Sequence, residues 1–83
     1  MNTKIDISLI IVNRNVGKLL SQCLDSIKAS VGVSHEVIIV DNASSDGSHE
    51  LLSQKYPEVK LIANPRNLGF AAACNIGIKI AFL

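Results

Sequence analysis

A short apolar run that ends on a carboxylate constrains the fold of this chain more than any other feature. Residues 37–40 read Val-Ile-Ile-Val, Asp41 follows them, and residues 42–48 are almost all small or polar. An apolar run of this length, bounded by turn residues, indicates a buried strand. In open α/β sheets, ligands bind beyond the carboxyl ends of the strands. The pattern therefore predicts that Asp41 lies in a ligand-binding crevice.

The order of the remaining segments predicts an α/β fold. The predicted strands cover about residues 5–13, 35–40 and 59–63, and the predicted helices cover about residues 16–30, 48–55 and 70–82. Asn15 is the expected cap of the first helix. The nearly continuous apolar run of the first strand indicates that both of its faces are covered. The β-α-β-α-β-α order predicts three α/β/α layers around a parallel sheet.

Composition excludes several classes of function. Apolar residues make up 48% and charged residues 18% of the 83 residues, as in a globular domain. A net charge of +1, with scattered basic residues and few aromatic ones, gives no footprint for nucleic acid. Cys23 and Cys74 are isolated, which predicts two small buried side chains and no metal or redox pair. The sequence shows no signal peptide and no membrane-length apolar segment, so we expect a cytoplasmic protein, at most peripheral to the inner face of the membrane.

Polar loops follow all three predicted strands. Residues 13–15 follow the first strand, residues 41–42 the second and residues 64–69 the third. Because the carboxyl ends of parallel strands meet at one edge of a sheet, these loops are expected to converge. Several polar groups above an apolar sheet are typical of a small-molecule site.

Asp41 offers a specific kind of recognition. A carboxylate accepts hydrogen bonds and cannot donate them, so it can bind a base that presents a ring N–H. Uracil, thymine and guanine have such a group, whereas cytosine presents an acceptor at that position. The alternative is that Asp41 accepts hydrogen bonds from the backbone of its own loop, as aspartates often do in turns.

The other notable residues also have structural explanations. Asp46 lies just before the second helix and is expected to cap it. The loop at 67–69 precedes a helix start, where backbone N–H groups favour phosphate. The small residues at 71–73 and Gly77 are expected to let the third helix pack closely on the sheet. Asn75 interrupts an apolar run, which predicts a buried amide that bonds to a strand-end loop.

The segments 10–15, 37–48 and 67–77, taken together, resemble the start of a family 2 glycosyltransferase of the rhamnosyltransferase-like branch. The resemblance implies that residues 1–83 form the N-terminal half of a GT-A nucleotide-diphospho-sugar transferase fold. It also implies inverting transfer of a sugar from a UDP, dTDP or GDP donor. The acceptor it implies is a cell-surface polysaccharide or a lipid-linked glycan.

The resemblance also implies which residues bind the nucleotide sugar. They are Val12, Asn13, Asn15, Asp41, Asn42, Asp46, Asn67, Gly69 and Asn75. Asp41 falls where the family holds the base. Many members carry an arginine just before the last of these asparagines, and this chain has Cys74 there instead.

The parts of the family that carry the chemistry are expected beyond residue 83. The family's metal-binding Asp-x-Asp motif lies on the next strand, and its catalytic base lies farther on. The resemblance therefore implies a divalent Mg or Mn ion but assigns no catalytic or metal-binding residue to this chain. Without the next strand, the first strand becomes an edge and a template for self-association. We expect the 83 residues alone to be inactive, and to be unstable or oligomeric.

Two alternatives remain open at this stage. One is a non-catalytic, truncated remnant of the same fold. The other is a Rossmann-type dinucleotide-binding domain, because an acid at the end of the second strand also binds the ribose of NAD. That fold needs a glycine-rich turn after the first strand, and residues 13–17 read Asn-Arg-Asn-Val-Gly.

Overall fold

The computed structural model describes residues 5–30, 32 and 34–81. Its elements are β1 (Ile7–Asn13), α1 (Gly17–Ser30), β2 (His35–Asn42), α2 (Ser48–Lys55), β3 (Lys60–Asn64) and α3 (Phe70–Ile80). The predicted order of elements is confirmed. The third helix ends earlier than predicted because the backbone turns extended at Ala81, and residue 82 lies outside the described residues.

The three strands form one parallel sheet in the order β1-β2-β3. The register places Asn13 of β1 opposite Asp41 of β2. It also places Asn42 of β2 opposite Asn64 of β3. The carboxyl ends of all three strands therefore present polar side chains at the same edge of the sheet.

Helices cover both faces of the sheet, so the predicted three-layer arrangement is confirmed. Helices α1 and α2 lie on one face, and the core there consists of Leu20, Leu24, Ile39, Leu52 and Tyr56. Helix α3 lies on the other face, where Ala73 packs against Ile38 and Val40. Successive residues of β2 alternate between the two cores, as strand geometry requires.

Both faces of β1 are covered as predicted, by the core that Ile11 contacts and by the core that Ile10 and Val12 contact, but β2 is buried more deeply. Ile38, Ile39 and Val40 of β2 are all fully buried. Strand β1 is half-buried over most of its length, and Ile7 is 40% exposed. The apolar run of β1 does not reveal this difference, because an edge strand and a central strand can share one composition.

The small residues of α3 divide between two sides of the helix. Ala73 and Gly77 are buried against the sheet, whereas Ala71 and Ala72 are exposed. A Cβ atom at position 77 would lie 2.5 Å from Cγ2 of Ile10, so the helix approaches β1 too closely for a side chain there. The predicted close packing is confirmed for the buried pair.

A polar cluster joins α1 to the end of α2. The hydroxyl of the buried Tyr56 lies 2.6 Å from Oδ1 of Asp25 and 2.7 Å from the backbone oxygen of Ser21. The hydrogen bond with Tyr56 is the largest cause that lowers the pKa of Asp25. The pKa of Lys55 is raised, mainly through its hydrogen bond with Tyr56 and by the charge of Asp25. The cluster fixes the two helices on the same face of the sheet.

The prediction of buried cysteines is wrong. Cys23 is exposed and Cys74 is half-buried. Leu20 and Leu24 form the side of α1 that faces the core. Cys23 and Leu19 each precede one of these residues and lie outside that side, and Leu19 is 67% exposed. Within the described residues, no helix combines the length and hydrophobicity that a membrane span needs.

Candidate functional site

Polar side chains converge where the three strands end, and we call this region (residues 13–17, 41–48 and 64–69) the polar edge. Its strand-end residues are buried despite their polarity. Asn13 is fully buried, Asp41 and Asn42 are each 2% exposed, and Asn64 is 8% exposed. Buried polar groups need hydrogen-bond partners, and the described residues supply them from one loop to the next.

Asp41 is held mainly through one of its two carboxylate oxygens. Oδ1 accepts a hydrogen bond from Nδ2 of Asn13 at 2.8 Å and another from Oγ of Ser44 at 2.5 Å. Oδ2 accepts from the backbone N–H of Ser44 at 3.4 Å, which is a long bond. Asp41 thus does bond its own loop, as the alternative interpretation expects, while Oδ2 keeps most of its accepting capacity.

The side chain of Asn13 is used entirely inside the protein. Besides its bond to Asp41, Nδ2 donates to Oγ of Ser44 at 3.2 Å. Its Oδ1 accepts from the backbone N–H of Val16 at 3.4 Å. Asn13, Asp41 and Ser44 therefore form a closed set of hydrogen bonds between the first two strand ends.

Asn15 links the first loop to the second and does not cap α1. Its Oδ1 accepts from the backbone N–H of Ser45 at 2.7 Å, and its own N–H donates to Oγ of Ser44 at 2.9 Å. Its φ of 58° is left-handed, whereas a capping residue has extended backbone. The prediction that Asn15 caps the first helix is wrong, because its side chain bonds across to the neighbouring loop.

Arg14 forms a second link between these loops. Its Nη1 donates to the backbone oxygens of Asn42 at 2.7 Å and Ala43 at 2.9 Å. Ala43 has a φ of 55°, an uncommon conformation for a residue with a side chain. The guanidinium group therefore holds the turn that follows Asp41 in its left-handed conformation.

Asp46 bonds the starts of two helices. Its Oδ2 accepts from the backbone N–H of Gly17, the first residue of α1, at 3.3 Å. Its Oδ1 accepts from the backbone N–H of Ser48, the first residue of α2, at 3.0 Å and also from the Ser48 hydroxyl. The Ser48 hydroxyl is the main reason that the pKa of Asp46 is lowered. A carboxylate at two helix N-termini also complements both helix dipoles.

Asn42 joins the second strand end to the third. Its Oδ1 accepts from Nδ2 of Asn64 at 2.8 Å and from the backbone N–H of Leu68 at 3.5 Å. Its Nδ2 donates to the backbone oxygen of Gly69 at 3.2 Å. Because side chains alternate along a strand, Asn42 lies on the α3 side of the sheet and Asp41 on the opposite side.

The third loop contains two of the remaining residues, and α3 contains another. Asn67 is exposed, and its Oδ1 accepts from the N–H of Gly69 at 3.0 Å. Gly69 has a φ of 86°, which favours glycine just before α3. Asn75 is exposed on α3, so the prediction of a buried amide is wrong. Ala73 and Gly77 face the sheet, and a residue midway between them on a helix faces outward.

Val12 is half-buried and packs with the α3-side core. The structure thus brings together Asn13, Asn15, Asp41, Asn42, Asp46, Asn67 and Gly69 at the polar edge and leaves Asn75 outside it. Three further residues, Arg14, Ser44 and Asn64, carry this network without having been singled out from the sequence. Only Asn64 had a usable signal, since it is an asparagine at a strand end like Asn13 and Asn42.

The described residues do not fit a divalent metal. They contain no group of three or more His, Cys, Asp or Glu side chains that could hold an ion. The carboxylates of Asp41 and Asp46 are both bonded to loop groups of their own chain. Any metal that the family uses would need ligands that this part of the chain does not supply.

A cavity of about 340 Å³ lies away from the polar edge. Its walls include Leu24, Ile27, Tyr56 and Val59, and His35 at the start of β2 is part of its lining. It therefore opens near the amino ends of the strands. The candidate site depends on the polar edge and not on this cavity.

The chain matches the model of the family described as Glycosyl transferase family 2 over residues 8–82. It is 32% identical over 84 residues to the uncharacterized glycosyltransferase YibD of Escherichia coli, a match that covers 98% of this chain and 24% of YibD. It is 31% identical over 67 residues to N-acetylglucosaminyl-diphospho-decaprenol L-rhamnosyltransferase of Mycobacterium tuberculosis, covering 81% of this chain and 22% of that enzyme. The chain spans about a quarter of the length of these relatives.

A solved structure has the same fold. Mannosyltransferase PcManGT from Pyrobaculum calidifontis, in complex with GDP-Man and Mn²⁺, superposes with a TM-score of 0.76 at 25% sequence identity. The superposition covers 95% of this chain and 25% of the mannosyltransferase. The likeness confirms the predicted α/β fold of the GT-A type.

Proposed function

The chain belongs to glycosyl transferase family 2, and on this premise we propose that it binds the nucleotide of a nucleoside-diphosphate sugar. The reaction we propose is transfer of that sugar to an acceptor. The observation that carries the proposal is the polar edge, where three strand-end loops meet at the position at which α/β sheets bind ligands. A structural neighbour in complex with GDP-Man supports it.

We assign recognition of the base to Oδ2 of Asp41. Its one internal bond is the long contact with the backbone of Ser44, so it can accept a ring N–H. Asp41 is 2% exposed, so a base can reach Oδ2 only after the backbone at Ser44 shifts. Ser45 is exposed and Ser44 is half-buried, which places this backbone at the surface.

The third loop and the start of α3 are the proposed site of the ribose and diphosphate. The loop through Asn67 and Gly69 leads directly into a helix of 11 residues, whose N-terminal N–H groups attract anions. Val12, Asn15 and Asn42 shape the nucleoside part of the site, and Asp46 holds the loop after Asp41. Asn75 is exposed one turn into α3 and would contact only a ligand that extends over that helix.

The remaining chemistry is proposed to lie outside residues 1–83, which we regard as the nucleotide-binding part of a larger domain. The metal ligands and the catalytic base would then come from residues beyond this part of the chain. We propose an acceptor of the lipid-linked or surface-glycan class. The name of one relative, which includes a diphospho-decaprenol group, supports this class. We place the reaction at the cytoplasmic face of the membrane. The edge position of β1 is the proposed surface for self-association.

Nucleotide titrations test this proposal. We expect UDP, dTDP or GDP to bind the purified larger protein that contains residues 1–83 roughly tenfold or more tightly than CDP, because only the first three bases offer a ring N–H to a carboxylate. The variant Asp41→Asn should lose this preference. The variant Asp6→Asn makes the same chemical change at the other end of β1 and should keep it.

Two results would contradict the proposal. One is an Asp41→Asn variant that discriminates between UDP and CDP as the wild type does. The other is tighter binding of NADH than of every nucleoside diphosphate, which would favour the dinucleotide-binding alternative. Nucleotide binding without sugar transfer by the larger protein that contains residues 1–83 would favour the non-catalytic remnant.

A further inference from the structure

Asn13 is enclosed by its own hydrogen bonds and has no surface to offer a ligand. The residue is fully buried. Both hydrogens of Nδ2 have acceptors, namely Oδ1 of Asp41 and Oγ of Ser44, and Oδ1 of Asn13 accepts from Val16. An asparagine whose amide is used in this way acts on its neighbours and not directly on a substrate.

The effect of Asn13 on Asp41 is to make the two carboxylate oxygens unequal. Asn13 and Ser44 both donate to Oδ1, at 2.8 and 2.5 Å, whereas Oδ2 has only the 3.4 Å contact. A carboxylate oxygen has two lone-pair sites, so Oδ1 is saturated. The amide of Asn13 is the donor that comes from the other strand, and it fixes which oxygen faces β1.

We propose that Asn13 is a positioning residue that selects Oδ2 of Asp41 as the acceptor for the ring N–H of the base. The inference rests on the proposed function, because it assumes that Asp41 binds the base. It goes beyond that function by giving a second, buried residue control over base preference. It also explains why an isosteric amide at position 41 should lower the preference for UDP over CDP.

The orientation of that amide follows from Asn13. In Asp41→Asn, the new side chain must turn its oxygen towards the Nδ2 donor of Asn13, since two NH₂ groups cannot bond each other. Its own NH₂ group then occupies the place of Oδ2 and faces the base. There it repels the N–H of uracil, thymine or guanine and suits the N3 acceptor of cytosine. The preference for UDP over CDP should therefore fall at least tenfold.

The double variant Asn13→Asp with Asp41→Asn should reverse this loss. The new carboxylate at position 13 accepts from the amide at position 41, which turns the amide oxygen back towards the base. Oγ of Ser44 contacts both residues, and its hydroxyl can rotate to donate to position 13 and accept from position 41. The net charge and the side-chain sizes are those of the wild type. The difference is that position 41 now donates the hydrogen bond between the two strands and position 13 accepts it.

The decisive measurement is the ratio of the dissociation constants for CDP and UDP in the wild type, in Asp41→Asn and in the double variant. We expect the ratio to fall at least tenfold in the single variant and to return to within about threefold of the wild type in the double variant. A merely structural role of Asn13 would weaken UDP and CDP alike and leave the ratio of the double variant as low as that of Asp41→Asn.

The outcomes separate this inference from the proposed function. If the wild type binds neither nucleotide, or if Asp41→Asn keeps the ratio, the proposed function fails and the inference fails with it. The inference alone is overturned if the ratio of the CDP and UDP dissociation constants falls in Asp41→Asn and stays low in the folded double variant. Thermal melts of all three proteins establish which of them are folded.

A second measurement decides the matter if the double variant does not fold. In the wild type, the side-chain NH₂ signals of Asn13 should exchange with solvent at least tenfold more slowly than those of the exposed Asn67. They should stay protected in the complex with UDP. Fast exchange of the Asn13 amide in that complex would mean that it leaves Asp41 when the base arrives, and this would overturn the inference.

Discussion

Replacing Gly77 by alanine would test how closely α3 packs against the sheet. The new Cβ would lie 2.5 Å from Cγ2 of Ile10 and 3.5 Å from Cγ2 of Val40. Carbon atoms in contact are about 3.5–4.0 Å apart, so Ile10 or the helix would have to move by roughly 1 Å. Overpacking of this kind costs about 1–3 kcal/mol, whereas alanine is favoured over glycine in a helix by about 0.5–1 kcal/mol. The clash should therefore exceed the helix preference.

We expect Gly77→Ala to lower the free energy of unfolding by about 1 kcal/mol, which is roughly 4–8 °C in Tm for a domain of this size. Thermal and urea melts followed by circular dichroism would measure it. Gly32→Ala is the control, because no heavy atom lies within 4 Å of its Cβ position. In an Ile10→Ala background, alanine at position 77 should become stabilising. The reasoning is refuted if Gly77→Ala is equally destabilising in both backgrounds.

Two further predictions concern the polar contacts that hold the helices. The pKa of Asp46 lies below its ordinary value of 3.8, chiefly because the hydroxyl of Ser48 donates to it. A lowered pKa stabilises the fold above the unfolded-state value and loses that contribution as the pH falls through the folded-state value. The wild type should thus have a higher Tm than Asp46→Asn at neutral pH. A difference in Tm that persists well below pH 3.8 would contradict this. Tyr56→Phe keeps the buried ring and removes the hydroxyl 2.6 Å from Asp25, which should lower Tm by a few degrees. The loss should shrink in an Asp25→Ala background, and an equal loss there would assign the stabilising bond to Ser21, through its backbone oxygen or its hydroxyl.

The order and type of the elements could be predicted because their signals are local. Pro57 follows α2 closely, and that helix ends at Lys55 as expected. Gly69 ends a loop rich in turn residues, and α3 begins at Phe70 as expected. The strand ends were predictable only to within one or two residues, because β2 continues beyond its apolar run to Asn42 and β3 continues to Asn64. These features depend on residues a few positions apart in the chain.

The contacts of the site could not be predicted, because they depend on register and on helix phase. That Asn13 faces Asp41 follows from the pairing of β1 with β2, which is not encoded in either strand alone. Ser44 looks like an ordinary turn hydroxyl until the loop geometry places it between these two residues. Asn75 was misplaced because its helix could be rotated in more than one way by a nearly all-apolar sequence. Only the packing of Ala73 and Gly77 fixes the rotation.

Asp41 and Asn42 lie on opposite faces of the sheet, so a change of one residue in the length of β2 has a different effect from a change of two. Inserting one residue ahead of Asp41 would exchange their faces. The carboxylate would then take the register position of Asn42, opposite Asn64, and the amide would move one position beyond it, past the pairing with Asn13. Every side chain of the polar edge would still be present, yet neither Asp41 nor Asn42 would meet its partners. Members of this family that differ in length along this strand should therefore differ by two residues, or should carry a bulge that absorbs the odd one.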